Sequence, residues 1–313
     1  MTGSGQNRTI NGDEKMQKWN KDLLELSSKQ WVEAMNTTGN FSAEIRPKDD
    51  VDKHEDGAVK SFTASMGSST ERVSKVLECI KSRGYVERNM TVLDIGSGTG
   101  TFTIPFSEHY SSVTSLDIST AMQNEIRDRA KEKNIQNIKY INANWRELDI
   151  EQSELKDQFD LVLCSVNPRG VCSYETLNKM NKASKGGCCL STFAGRGKSN
   201  HGTDLQEIIL GRTLGTTGGN NIIFPFNVVY HMGGEPDMAY STVSWERRQE
   251  PEAAIAGICH SYWRFADITD ELKSKITDYV FANLEDGLYV DRAENLIGIM
   301  VWDAWRIKDN GLA

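Results

Sequence analysis

The chain is poor in the features that would mark it for a membrane or a polyanion. None of its 313 residues falls in a run approaching the roughly 20 apolar residues that span a bilayer, and no early stretch resembles a signal peptide. The expected setting is cytoplasmic, with no membrane partner. An excess of basic charge is missing too: 36 Lys and Arg stand against 44 Asp and Glu, a formal charge of −8. Nucleic-acid binders usually carry a basic face, so nucleic acid is not an expected partner. Cys79, Cys164, Cys172, Cys188, Cys189 and Cys259 form no CxxC and no Cys/His cluster at zinc spacing, and no metal is expected. They read as reduced, buried thiols, with a reactive thiol at Cys164 or Cys172 as the alternative. Cys188 and Cys189 are adjacent in a strand pattern and should face opposite sides of a sheet.

What is present is enough apolar material, 38% of residues, for a substantial core. Helical spacing predicts a helix over Lys15–Asn36 and another over Ser69–Lys81, the second with Ser69 or Thr70 as cap and Gly84 as close. From Thr91 the pattern alternates. Strands are expected at Thr91–Ile95, Ser112–Asp117, Ile138–Asn142, Phe159–Ser165 and Gly187–Phe193, and helices at Thr101–Glu108, Thr120–Lys133 and Tyr174–Lys182. Such alternation implies a parallel, doubly wound sheet. Beyond it the pattern gives a helix near Asp204–Leu210, a Gly/Asn-rich turn at Gly215–Asn221 and a strand at Ala239–Glu246. Helices at Pro251–Tyr262 and Asp270–Leu284 and a last strand at Leu296–Trp302 follow.

The stretch TVLDIGSGTGTFTIPF, Thr91–Phe106, sets three glycines directly after the first strand. Glycine loosens an ordered element, so the backbone there has to do what other residues cannot. A phosphate loop of the Walker type needs a lysine that is absent. A dinucleotide fingerprint needs a glycine where Thr101 stands. What remains is GxGxG, made by Gly96, Gly98 and Gly100, with Asp94 before it. The second strand ends in Asp117, 21 positions beyond Gly96, the distance at which an acid reaches a ribose hydroxyl pair.

With these residues the chain resembles the class I S-adenosylmethionine-dependent methyltransferases. LDIGSGTG resembles that family's first motif, VTSLDIS its second, and FDLVLCSVNP and KASKGGCCLSTF the fourth strand and the turn into the fifth. INANWREL stands at the third motif, with Asn144 where the family often has aspartate. The tail pattern FNVVYHMGG followed by WERR resembles uncharacterised small-molecule methyltransferases of anaerobic bacteria and archaea. The resemblance implies an α/β fold with a doubly wound, mostly parallel seven-stranded sheet. It divides the chain into an N-terminal helical cap or lid (1–68), a cofactor-binding core (69–193) and a substrate-pocket insertion with the last strands (194–313).

The implied cofactor is S-adenosylmethionine. Asp94 and the loop of Gly96, Ser97, Gly98 and Gly100 would hold its amino-acid part, and Asp117 both ribose hydroxyls. Ile118 and Met122 would pack on the adenine. Asn144 would accept from its exocyclic amine, and the Trp145 amide would donate to its ring. Ser165 completes the cofactor set.

Methyl transfer from a sulfonium is an in-line displacement that needs mainly alignment and desolvation, and a base only when the nucleophile arrives protonated. Asn167–Gly170, NPRG, stands where amino-methylating relatives carry [DN]PP[YF], and lacks the aromatic. Arg169 is either an anion-binding residue or an ordinary surface arginine. Three readings are open: a methyltransferase for a small-molecule acceptor, one for RNA or protein, or a cofactor-binding protein without methyl transfer. The acceptor pocket is expected in the tail, Ala194–Arg248, where about 45 residues, Ala194–Met238, are inserted. Phe224, Phe226, Glu235 and Asp237 would line it, with His231 as base candidate and Tyr230 as substrate ligand. A structural histidine is the plain alternative. The N-terminal segment, with Trp19, Trp31, Phe41 and Phe62, is expected to act as a lid or as a packed cap.

Overall fold

Five apolar runs, each closed by polar or glycine residues, become the parallel part of one sheet. The computed structural model describes residues 12–37, 69–166, 170–195, 197–213, 221–262 and 266–311. Phe41, Phe62, Arg169, most of the Gly/Asn-rich turn and the Trp19 side chain lie outside the described set. Strands β1 (Thr91–Ile95), β2 (Ser112–Asp117), β3 (Ile138–Asn142) and β4 (Phe159–Ser165) keep the bounds read from the sequence. β5 (Ser184–Phe193) starts earlier than Gly187, because Ser184 pairs with Phe159 across a shift in register. These strands pair in parallel in the order β3-β2-β1-β4-β5.

The remaining strands turn the sheet antiparallel. β9 (Leu288–Asp303) lies beside β5, from Gly187 opposite Asp303 to Phe193 opposite Ile297, and β7 (Asp237–Gln249) pairs with β9 along its length. Seven long strands thus stand in the order β3-β2-β1-β4-β5-β9-β7. Two-residue strands β6 (Lys198–Ser199) and β8 (Leu284–Glu285) join β9 to give nine among the described residues. Both β7 and β9 exceed their expected lengths, because they run past the end of β5 as a two-stranded ribbon that local periodicity does not report.

Helices cover both faces. They are α1 (Gly12–Thr37), α2 (Ser69–Ser82), α3 (Thr103–Phe106), α4 (Thr120–Glu132), α5 (Tyr174–Ala183), α6 (Gly202–Leu210), α7 (Ile223–His231), α8 (Pro251–Tyr262), α9 (Asp270–Ala282) and α10 (Ala304–Asp309). Ser69 and Thr70 both lie within α2, so neither stands outside it as a cap. Gly84, at φ 81°, closes it, with its amide 2.9 Å from the Lys81 carbonyl. α3 is shorter than expected because the glycine loop continues through Phe102. α7 has no helical stripe: its sequence, IFPFNVVYH, is apolar on every side and β-rich. Pro225 is tolerated because first-turn amides have no intrahelical acceptor.

Alternation along the strands feeds two cores. Leu93, Ile95, Val162, Cys164 and Cys188 face one side with α1, α5 and α7. Val92, Leu161, Leu163 and Cys189 face the other with α2 and α3. Cys188 and Cys189 therefore point to opposite faces. On the first side the fully buried Trp302 ring satisfies its N–H on Asn181 Oδ1 at 2.8 Å. A smaller core under α6, α8 and α9, built around Leu205, Ile255, Ile276 and Val280, sits on the projecting ribbon and meets it at Tyr289.

Candidate active site

The loop after β1 is shaped by its neighbour strand. The amides of Gly96 and Ser97 both donate to the Leu116 carbonyl, at 2.7 and 3.2 Å, and so stitch the loop to the end of β2. Gly96, Gly98 and Gly100 take φ values of 65°, 54° and 82°, the left-handed region that costs other residues roughly 1–2 kcal/mol each. A Cβ on Gly100 would lie 3.0 Å from Ile126 Cγ1, so the third glycine also lets α4 pack beneath the loop. Ser97 Oγ lies 2.7 Å from Ser115 Oγ.

Asp117 closes this cradle. One carboxylate oxygen accepts the Gly98 amide at 2.8 Å and the other the Ser119 amide at 2.9 Å, with 9% of the residue exposed. Each oxygen keeps a lone pair for a further donor. Burial raises its pKa. Asp94 is 2% exposed and accepts the Thr103 hydroxyl at 2.6 Å. Burial, with the charge of Asp117 adding to it, lifts its pKa to about 7, against the pull of Thr103.

The residues expected to face an adenine gather where β2 and β3 stop. The Asn142 side-chain amide donates to the carbonyls of Asp117 and Ile118, and the Ala143 amide donates to Asp117 O at 3.1 Å. Ile118 and Asn144 are thereby held near Asp117, and Met122 stands in the first turn of α4, its amide bonded to Ser119 Oγ at 3.1 Å. Asn144 Oδ1 accepts the Arg146 amide at 3.0 Å. Trp145 is buried, with Nε1 on Thr176 O at 3.0 Å. Ser165, at the end of β4, meets Ser191 Oγ at 2.6 Å. The structure thus brings Asp94, the three glycines, Ser97, Asp117, Ile118, Met122, Asn144 and Trp145 to neighbouring strand ends, with Ser165 one strand further.

The tail residues are placed otherwise. α7 starts at the crevice, where the Ile222 amide donates to Phe193 O at the end of β5, at 2.7 Å. It ends near α10, where Gly233 abuts Asn310 and Gly234 abuts Ile307. His231 and Tyr230 therefore sit ~12 Å along the helix from Ile222. His231 Nδ1 meets Ser27 Oγ of α1 at 2.8 Å, and burial lowers its pKa. Tyr230 is 59% exposed and stacks on Phe226. Asp237 and Glu235 are bound by Arg83 and Arg306, at the edge of the sheet where β1 begins. The structure does not bring these four to the glycine loop. Phe224 and Phe226 pack against the core shared by α1 and α5.

A cavity of about 860 Å³ opens instead between α1 and the start of α5, with Leu24, Ser28, Val32 and Asn36 on one side and Tyr174 and Glu175 on the other. Its α5 wall follows Ser173, the cap at which the loop from β4 ends.

Several supports escaped sequence reading. Gln123, 3% exposed, donates to the Ile141 carbonyl at 2.7 Å, and Lys179 holds the carbonyls of Trp145 and Arg146 at 3.1 and 2.8 Å. Arg129 clasps the Thr99 carbonyl. Only Ser119, a serine directly before a helical pattern, carried a recognisable signal.

The family model of a methyltransferase domain matches residues 92–185, from β1 to the first residues of β5. Among solved structures, the chain is similar to a protein of Bacillus halodurans C-125 described as a methyltransferase, at 15% identity over 74% of this chain and 99% of that one, TM-score 0.47. It is similar to magnesium protoporphyrin IX methyltransferase of Synechocystis PCC 6803, solved with bound S-adenosylhomocysteine, at 15% identity over 75% and 85%, TM-score 0.42. It is also similar to a phosphoethanolamine N-methyltransferase of Haemonchus contortus, at 14% identity over 74% and 52%, TM-score 0.43. Among curated proteins none matches the chain. Residues 92–185 thus form a methyltransferase domain, and the strand order and the glycine–aspartate cradle fit the class I, S-adenosylmethionine-dependent fold.

Proposed function

We propose that the enzyme transfers the methyl group to a small-molecule acceptor, bound in the cavity between α1 and the start of α5. The cavity carries the reading: about 860 Å³ falls within the ~300–1,000 Å³ usual for small-ligand sites. Leu24, Val32 and Tyr174 supply apolar wall, and Lys21, Glu25 and Asn36 a few polar groups able to orient a ligand. The cavity also adjoins the loop after β4, and loops at the carboxyl ends of parallel strands lead to the ligand crevice.

In this reading Asp117 accepts from both ribose hydroxyls, the loop amides and Asp94 hold the amino-acid part, and Ile118, Met122, Asn144 and Trp145 hold the adenine. Ser165 lines the passage between cofactor and acceptor. The bound cofactor supplies an activated methyl group, and the chain supplies alignment and exclusion of water. His231 ties α7 to α1 through Ser27 and acts on no reacting atom.

The test is methyl transfer from labelled cofactor to separated cell fractions, with Val32→Trp as the filled-cavity control. Label should enter the fraction below ~1 kDa, and Val32→Trp should abolish transfer while S-adenosylhomocysteine binds as before. Label entering only RNA or protein would contradict the reading.

A further inference from the structure

The two edges of the sheet are defended differently. β3, at one edge, is five residues long and exposes Lys139, and a short, charged edge offers little to a foreign strand. β7, at the other, is 13 residues long and pairs with β9 in unbroken register from Asp237 to Gln249. Among the described residues no strand lies on its far side, so alternate N–H and C=O groups there have no ladder partner. Only its start is engaged, where Arg83 binds Asp237. The stretch Ala239–Trp245, AYSTVSW, carries no charge, no proline and no bulge, the usual devices that keep an edge from pairing.

Its side chains are uncovered as well. Tyr240 is 54% exposed and stands opposite Gly298, which gives it no side chain to pack against. Thr242 and Ser244 are exposed on the same face, and Val243 and Trp245 are half-buried on the other.

A second copy fits this edge by symmetry. Two copies of one strand pair antiparallel about a two-fold axis normal to the sheet, and one residue then faces itself. With Ser244 on the axis, Val243 and Trp245 meet twice, a β-branched residue against an aromatic. Thr242 meets Glu246, hydroxyl against carboxylate, and Tyr240 meets Arg248, ring against cation. No like charges stand opposite each other, and Asp237 stays with Arg83. Centring on Val243 instead sets Ser241 against Trp245 and Ala239 against Arg247, and the apolar pair is lost. We propose that β7 is a homodimer interface, in which Ala239–Gln249 of two copies pair antiparallel about Ser244 and join two sheets into one.

Sedimentation of the full chain across a range of concentrations reads the mass, and cysteine cross-linking reads the register. Wild type should approach twice the chain mass as concentration rises. Ser244→Arg puts two cations on the axis while each stays beside Glu294 of its own β9, so the fold is kept and the dimer should dissociate at least about 10-fold more readily. Ser244→Cys should form an intermolecular disulfide under mild oxidation, with wild type reporting what the native cysteines contribute. Thr242→Cys should not, because this register holds it about 13 Å along the strand from its own copy. A chain that stays monomeric, its edge left open or taken by something other than a second copy, would overturn the assignment. So would a dimer that Ser244→Arg leaves intact, or equal cross-linking at both positions.

Discussion

The half of the sheet from β3 to β4 and the half from β5 to β7 treat their polar groups in opposite ways. In the first, Asp94, Asp117, Ser115 and Gln123 are buried, and each is satisfied within the loop-and-strand-end assembly. In the second, several ion pairs lie at or near the surface. Arg292 joins Glu246 and Glu285, Arg306 joins Glu235, and Lys308 joins Asp157. Exposed pairs of this kind contribute little, a median of about 0–1 kcal/mol. Buried groups with a spare lone pair can exchange or add partners when a ligand arrives, and their cost of desolvation is already met by the fold. The first half thus offers buried acceptors to a ligand, while the second holds the edge of the sheet and carries the ribbon.

The largest effect expected from breaking that contrast is at Gly100. Gly100→Val adds a branched side chain at φ 82° against Ile126, at the 3.0 Å approach noted above, and should cost about 2–4 kcal/mol of stability. Denaturant unfolding measures it, and a loss below about 1 kcal/mol would mean that the loop does not need this packing.

Asp94 gives the next. Its pKa is about 7 in the fold against 3.8 as an ordinary carboxyl, so between those values the folded chain holds a proton that the unfolded chain has released. The stability it contributes is full below about pH 4 and is lost as pH rises through about 7. Thermal melts across pH 5–8 should therefore fall with pH more steeply in wild type than in Asp94→Asn. Binding of the cationic cofactor, which favours the ionised carboxyl, should release part of a proton below pH 7, read by calorimetry in buffers of different ionisation enthalpy. Parallel melting profiles would contradict the burial of a titrating Asp94.

At the small end, Arg292→Ala breaks its contacts with both glutamates in the second half, yet should leave the denaturation midpoint nearly unchanged, because those groups remain hydrated. A large fall in the midpoint would show that the ribbon is held electrostatically and would blur the distinction between the halves.

The same contrast explains what was legible in the sequence. β1, β2 and β4 are short, mostly apolar runs buried on both faces, and β1 and β2 are closed by Gly96 and Asp117, so composition marks their ends; β3 is half-exposed and was marked by its place in the alternation. Asp94, Asp117 and the glycines stood out because their positions relative to those ends are fixed by the fold's own geometry. Arg129, Lys179 and Gln123 did not, since each reaches its carbonyl from a helix whose approach is set by packing. Tyr230 and His231 looked like pocket residues because aromatic and polar groups alternate there. Their place depends on where α7 begins, and a single backbone bond from Ile222 to Phe193 fixes that. The ribbon of β7 and β9 extends by pairing, which no local pattern encodes.

We propose that cofactor binding resides in the glycine–aspartate cradle of the first half and not in the tail. Titration of S-adenosylhomocysteine into Asp117→Ala and His231→Ala, side by side with wild type, tests it most directly. Asp117→Ala removes the proposed acceptor of the ribose hydroxyls and the anchor of the Gly98 and Ser119 amides, and should weaken binding by roughly 2–3 kcal/mol, about 30- to 150-fold. His231→Ala removes only the contact to Ser27 and should leave the affinity unchanged, with turnover retained across pH 6–9 once an acceptor is known. Undiminished affinity in Asp117→Ala, or a comparable loss in His231→Ala, would contradict the account.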